Sequence, residues 1–432
     1  MTSQRRLTKV GALAAAAAMT VGVSACAGGG GDAGSSSGDE PLVVMSTFTP
    51  ADFAGPWYEA AVEAFTEETG IEVKSVTVSA VDIYTAYETA VLAGEEPDVL
   101  IANLYDKALT WTETGATLPV NDYLKEWGLD KTIESAAIDD WTDADGNVQA
   151  FPFNGFTWPV WYNTEILSSV GIDSVPTTYD ELIEAATALN GAGIAPVAIG
   201  GSDWSGMKFF LQLVQLTMSE DEAKDVMSNG GYCDSEAAMT GIEDFLALSE
   251  AGVFIKDAQG LTADNMYAEF NQGTAAIMPA GSWQFSATPE ELIPNVTLGG
   301  FPLPNDSSFD KPVAYQAFTS SGVWVTKKSA DRLEDYRKFV EFMYSADVQS
   351  SLVSDAGVVP VVEVPGLEDA LADQPLLLNA VTEMPDTVEY GVFPDFFVPG
   401  AKTQAINSAI STAYAPGAEA ADVCAAIDAA YN

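Results

Sequence analysis

From residue 41 onward the apolar positions of this chain switch repeatedly between two periods. PLVVMSTF at 41–48 has strand character, and WYEAAVEAFTEETG at 57–70 follows with Trp57, Ala61 and Phe65 spaced for one helix face and Gly70 as its stop. IEVKSVTVS at 71–79 returns to a strand pattern, DIYTAYETAVLAG at 82–94 predicts a second helix ending at Gly94, and PDVLIAN at 97–103 predicts a further short strand. Strands and helices in this alternation predict a mostly parallel sheet covered by helices. Ligands in such folds collect beyond the carboxyl ends of the strands, so STFTPADF at 46–53 and ANLYD at 102–106 become candidate binding loops.

The same alternation resumes further on. VPTTYDELIEAATALNGAG at 175–193 predicts a helix with Thr178 as its cap and Glu181 three residues later, and a strand is predicted at 194–200. Helical patterns fill 206–250, helix, turn and strand follow between 265 and 285, and a strand at 321–329 precedes a helix at 333–353. Between the two blocks, DWTDADGNVQAFPFNGFTWPVWYN at 140–163 reads as extended pieces joined by a tight turn at Asp145–Gly146. DADGN is also a fragment of a calcium loop, but the twelfth position counted from Asp143 is Asn154 rather than Glu, so the turn is the better reading.

The first forty residues follow other rules. Arg5, Arg6 and Lys9 precede a charge-free stretch from Val10 to Val23, and Ser24 and Ala25 stand before Cys26. This is a secretion-signal pattern too short for a comfortable membrane span, and VSAC resembles the bacterial lipobox, in which Cys26 is lipidated and becomes the mature N-terminus. Residues 1–25 are then the signal peptide and 26–40, rich in Gly and Ser, a flexible tether with a reach of roughly 20 Å.

Composition narrows the chemistry. The 432 residues suffice for two domains, and 63 acidic against 17 basic residues give a net charge of −46, which becomes −49 once Arg5, Arg6 and Lys9 are removed with the signal. Nucleic-acid binding by phosphate neutralisation is excluded on charge. With no histidine in the chain, a Ser-His-Asp triad, a histidine base and a His-ligated zinc site are excluded as well. No metal site and no cofactor is expected. Setting Cys26 aside leaves Cys233 and Cys424, which in an exported chain read either as one disulfide or as two buried thiols.

The motif order PDVLIAN, FPFNGFTWPVWYNTEILSSVGIDSVPTTYDELIEAA, FNQGTAAIMPAGSW and SGVWVTKKSADRLEDYRKFVEFMYS resembles the family 1 extracellular solute-binding proteins of carbohydrate ABC transporters over nearly the whole chain. The resemblance implies a periplasmic-binding-protein-like fold with two α/β lobes joined by hinge strands and a ligand cleft between them. Lobe 1 would hold 41–150 and 322–356, and lobe 2 would hold 156–315 and 360–432, with crossings at 151–157, 315–321 and 356–361. Cys233 and Cys424 then both belong to lobe 2, which makes a bridge between them geometrically feasible. The resemblance does not specify the sugar, but the many aromatics around the expected cleft favour an oligosaccharide of two to four units, such as an α-galactoside or a malto- or fructo-oligosaccharide, over a monosaccharide. It further implies ABC permease subunits as partners, membrane contact through the lipid anchor only, and a monomer.

A sugar needs aromatic surfaces for its C–H faces and acids or amides for its hydroxyls. Trp283 in PAGSW stands where this family often places a stacking aromatic. Asp203 and Trp204 in GGSDWSG pair an acceptor with a platform, and Asn154 precedes the first crossing. Trp158 and Trp161 lie three apart and point opposite ways on a strand, so one can face the cleft while the other fills a core, with Trp158 taken for the cleft. Phe53, Tyr105 and Asp106 occupy the strand-end loops of lobe 1. Asp395 and Phe396 in YGVFPDFFVPG form a cleft wall or a hinge cover, and Tyr315, beside Gln316, lies near the second crossing. Two rival readings remain: a glycoside hydrolase pairing Asp106 with Asp203, and a receptor for a peptide, polyamine or osmolyte.

Overall fold

The computed structural model describes residues 40–50, 54–80, 82–104 and 106–432, with the backbone only at 106 and 107. Cys26, the signal and most of the tether, Phe53, Tyr105 and the side chain of Asp106 lie outside the described residues.

The first block folds as its periodicity requires. β1 (Leu42–Ser46), α1 (Gly55–Thr69), β2 (Val73–Thr77), α2 (Ile83–Ala93) and β3 (Val99–Ala102) follow in order. Trp57, Ala61 and Phe65 are buried on one face of α1, and Gly70 ends the helix at φ 72°, a left-handed conformation that glycine adopts without a Cβ clash. β1 pairs in parallel with both β2 and β3.

Beyond β3 the sheet departs from the mostly parallel expectation. β4 (Phe151–Trp158) runs into Pro159 and continues as β5 (Val160–Asn163) in a second sheet. The second sheet also contains β6 (Ala195–Val197), β7 (Ala275–Pro279) and β8 (Val296–Gly299) in the order β6-β7-β5-β8. β9 (Val313–Val325) returns to the first sheet and lies antiparallel between β3 and β4. β10 (Val359–Pro360) adds to β4, and β11 (Glu389–Tyr390) pairs with the start of β9. A chain that leaves one sheet along β4 and comes back along β9 must lay these two strands in opposite directions. Both sheets are therefore mixed, and the molecule is a two-lobed α/β fold with β4 and β9 as the long strands shared between the lobes.

Two local expectations change for stated reasons. The strand expected at 321–329 begins earlier and stops at Val325, because Thr326 caps the next helix through reciprocal bonds with Ser329. The helix expected at 333–353 is two helices, Leu333–Met343 and Ala346–Ala356, broken where Ser345 turns to extended backbone and the Tyr344 hydroxyl bonds the Pro152 carbonyl of β4. Elsewhere the local reading stands. Thr178 and Glu181 form a capping box at the start of α3 (Tyr179–Gly191). The Asp143 carboxylate accepts the Asp145 and Asn147 amides, which closes a turn with Gly146 at φ 84°.

Cys233 is joined to Cys424 on α4 (Ala420–Ala430) by a disulfide. The same helix offers the Asp428 carboxylate to the amides of Gly231, Tyr232 and Cys233, so a covalent and a charge-assisted tie hold one contact.

Candidate functional site

The main core runs through both lobes, but a second buried cluster stands apart from it. It consists of Trp158, Tyr315, Ala317 and Phe393, with Phe156, Trp283 and Phe396 packed against it. Phe156 and Trp158 alternate along β4 and so share one face of the strand, as their spacing demands. Tyr315 and Ala317 do the same on β9, directly across from them: Trp158 pairs with Tyr315 and Phe156 with Ala317.

This cluster is one wall of a cavity of about 550 Å³. Trp158 meets Trp283 at 5.3 Å and Trp204 at 5.5 Å between ring centroids, edge to face, and Trp204 meets Trp283 at 6.1 Å. Trp204 opens the helix Trp204–Val214, lines the cavity and is 39% exposed, an unusual degree for a tryptophan among the described residues. Ala80 after β2, Asn103 after β3, and Thr319 and Ser320 of β9 line the cavity together with these rings. The cavity therefore lies beyond the carboxyl ends of β2 and β3, where the α/β topology places ligands.

One end of the cavity carries an ion pair. Lys208 Nζ lies 2.6 Å from Asp395 Oδ2, with both side chains largely buried. The same ammonium sits 4.9 Å from the ring of Phe393, 5.7 Å from Trp158 and 5.8 Å from Trp204. The loop bearing Asp395 is held from behind by Gln215, whose Oε1 accepts the Val392 amide and whose Nε2 donates to the Val392 carbonyl. Gln215 also donates to the Tyr315 hydroxyl, which donates in turn to the Lys208 carbonyl. Burial pushes the Tyr315 hydroxyl well above the ordinary tyrosine range, so it stays a neutral donor.

Trp283 is fixed by its neighbours. Its Nε1 donates to the Tyr267 hydroxyl at 3.3 Å, and burial pushes that hydroxyl up to about 12. Gly281 lies directly beneath the ring, and a Cβ there would overlap Trp283 ring carbons, so close approach explains this glycine. Two polar atoms at the cavity lack partners among the described residues, the Asn103 Oδ1 acceptor and the Trp158 Nε1 donor. Leaving buried polar groups of this kind unpaired carries a free-energy cost.

Of the residues singled out from sequence, the structure brings Trp158, Trp204, Trp283 and Asp395 to this cavity. Asn154 lines a smaller adjoining cavity of about 220 Å³ with Trp283, and its Oδ1 accepts from Ser321. Tyr315 is wholly behind the wall. Phe396, like Gln316, lines a different recess of about 1000 Å³ on the far side of Phe393. That larger recess contains no tryptophan, whereas the tryptophan cavities reach Thr47 and Phe48 after β1 and Asn103 after β3. Asp203 is placed otherwise: its Oδ1 accepts from the amide and hydroxyl of Ser205 and its Oδ2 from the Ala263 amide, tying two helix starts together. Asp203 therefore serves as a tie between helix starts and is not among the residues that line the cavity. Trp161 fills the core, donating to the Ala280 carbonyl at 2.7 Å.

Sequence reasoning missed Phe156, Asn103, Lys208 and Phe393. Phe156 was readable from its two-residue spacing to Trp158, and Lys208 from its four-residue spacing to Trp204 on a helix. Nothing local marks Lys208 as the partner of Asp395, 187 residues away.

Comparison with known proteins accords with this geometry. The sequence profile for bacterial extracellular solute-binding proteins matches residues 50–350. A crystal structure of a probable secreted solute-binding lipoprotein from Streptomyces coelicolor is 39% identical, with a TM-score of 0.84 over 91% of this chain and 99% of that one. A probable sugar-binding periplasmic protein of Rhizobium meliloti (strain 1021) is 31% identical over 139 residues, 32% of each chain. The sn-glycerol-3-phosphate-binding periplasmic protein of Agrobacterium fabrum (strain C58 / ATCC 33970) is 27% identical over 152 residues, 34% of this chain and 32% of its own. The match thus spans about a third of the length of these curated relatives.

Proposed function

This chain belongs to the bacterial extracellular solute-binding protein family, and from that premise we propose that it is the carbohydrate receptor of an ABC importer. It is a binding protein and not an enzyme. Its ligand is an oligosaccharide of two to four units, taken up in the tryptophan cavity and delivered to membrane permease subunits. Lobe 1 comprises 41–150 and 322–356 and lobe 2 comprises 156–315 and 360–432, and sugar bound between them favours the closed form by its differential affinity. Cys26 carries the lipid, and the tether keeps the monomeric receptor near its permease.

The observation that carries this reading is the aromatic wall of Trp158, Trp204 and Trp283, closed by the Lys208–Asp395 pair. Flat rings cover the apolar faces of pyranoses at low conformational cost, while the pair offers one donor and one acceptor to hydroxyls. It also opposes a phosphorylated polyol such as the Agrobacterium relative binds. Lys208 is already neutralised by Asp395, and no other cation lines the cavity among the described residues.

The test is a thermal-shift panel of malto-, xylo-, chito-, fructo- and raffinose-type oligosaccharides with glycerol 3-phosphate beside them. At a hundredfold excess over Kd a ligand adds about 2.7 kcal/mol of stability, enough to raise Tm by a few degrees. A shift with a neutral oligosaccharide and none with glycerol 3-phosphate is expected. No shift with any sugar at millimolar concentration sinks the reading.

A further inference from the structure

The cavity does not end at Trp283. Trp283 and Phe156 line both the 550 Å³ cavity and the adjoining 220 Å³ one, and Trp283 lines a third of about 340 Å³ as well. Ser282 and Gly357 connect the second with the third. Three spaces thus meet around one indole.

They differ in chemistry. The first is walled by tryptophans and the Lys208–Asp395 pair. The second is short, with Thr47, Asn103, Asn154 and Ser320 around it. The third has an apolar floor of Phe285, Ile293 and Leu376, rimmed by the acceptors Glu290, Asp355 and Asp373. Gly357 in the passage has φ +62°, and a Cβ on it would come within 2.7 Å of Gln374 Oε1, so this glycine keeps the passage open while Gln374 closes against it.

We infer that the ligand is a linear oligosaccharide lying across Trp283, with its far units in the third space, so that the 282–290 and 354–357 segments form a distal subsite. This rests on the sugar-receptor reading above and extends it. The central unit stacks on Trp283. The unit toward Trp204 sits among aromatic rings, and Asn103 Oδ1 is the unpaired acceptor at the middle. The distal unit lays its C–H face on Phe285 and Leu376 and donates its hydroxyls to the carboxylates at the rim. Monosaccharides and compact disaccharides leave that space empty.

The experiment is isothermal titration calorimetry of the whole chain with malto-, xylo- and chito-oligosaccharides of two to six units, in the wild type and in Ser286→Trp. Ser286 is exposed and lines the third space, so an indole there fills it without disturbing the core. In the wild type, affinity for the preferred series climbs about tenfold, equivalent to 1.4 kcal/mol, as chain length grows past the shortest binder. Ser286→Trp abolishes the climb and leaves the shortest binder within twofold. Ser286→Phe, a smaller ring at the same position, gives the same result and stands in should Ser286→Trp fold poorly. Affinity that ignores chain length, or a climb that survives both variants, overturns the distal subsite alone. Absence of binding by every chain overturns the sugar reading and this inference together.

Discussion

Replacing Lys208 by methionine and Asp395 by asparagine, singly and together, perturbs the ion pair that closes one end of the tryptophan cavity. At 2.6 Å the attraction is roughly 6 kcal/mol at an effective dielectric of about 20, and desolvation of two side chains only 14% and 20% exposed offsets much of it. The two single variants are unequal. Asp395→Asn leaves an ammonium still facing three aromatic rings within 6 Å, contacts worth about 0.5–1 kcal/mol or more each. Lys208→Met leaves a carboxylate against the same electron-rich faces with no cation. The expected costs are about 3 kcal/mol for Lys208→Met and about 1–2 kcal/mol for Asp395→Asn. The double variant is expected to cost about 2–3 kcal/mol, a coupling of about 2 kcal/mol. Urea midpoints at constant slope measure all four corners of the cycle. Additive costs within about 0.5 kcal/mol, or a larger loss from Asp395→Asn, would refute the reasoning.

Three further outcomes are expected. Asp140, held up at about 6 chiefly by burial and further by Asp139, although the Phe318 amide bonded to it pulls the other way, keeps its proton in the fold between about pH 4 and 6, where the unfolded chain has lost it. Stability from this group is complete below about pH 4 and lost as pH rises through 6, so Asp140→Asn gains about 1–3 kcal/mol at pH 7.5 and nothing at pH 4; equal effects at both pH values would contradict this. Gly281→Ala forces the Trp283 ring off its seat, weakening oligosaccharide binding at least tenfold by calorimetry, and an unchanged Kd would show that the ring position is immaterial. Cys233→Ser with Cys424→Ser removes a bridge across a separation of 191 residues and costs about 2–5 kcal/mol, seen as a lower urea midpoint, with sugar affinity kept within twofold because the bridge is absent from the cavity wall.

How much of this was readable in advance depends on how local each cause is. Trp57, Ala61 and Phe65 marked α1, and Thr178 with Glu181 marked the start of α3, because helix faces and caps are set by residues a few positions apart. Strand direction was not readable. β9 lies beside β3 and β4 only because the chain crosses to the second sheet and returns, and no window of sequence contains that path. The site divides the same way. Trp158, Trp204, Trp283 and Asp395 were singled out as large aromatics and an acid in Gly- and Pro-rich loops, and the fold gathers these four at one cavity. Asp203 could be read either way because a helix cap and a ligand acceptor look alike in sequence, and in the fold its oxygens accept from the Ser205 and Ala263 amides. Phe396 sits one residue from Asp395 yet faces the other recess, a distinction the turn at Pro394–Phe396 makes and composition does not.

The central claim is that the tryptophan cavity binds oligosaccharide, and calorimetric titration of the wild type and Trp283→Ala with the best sugar of the panel tests it most directly. The account predicts saturable one-to-one binding with a negative heat-capacity change in the wild type. Trp283→Ala should bind at least thirtyfold more weakly, as expected for loss of about 2 kcal/mol at a central tryptophan, while folding changes little because the ring is only partly buried. Undiminished binding by Trp283→Ala, or loss of binding matched by loss of folding, would contradict it.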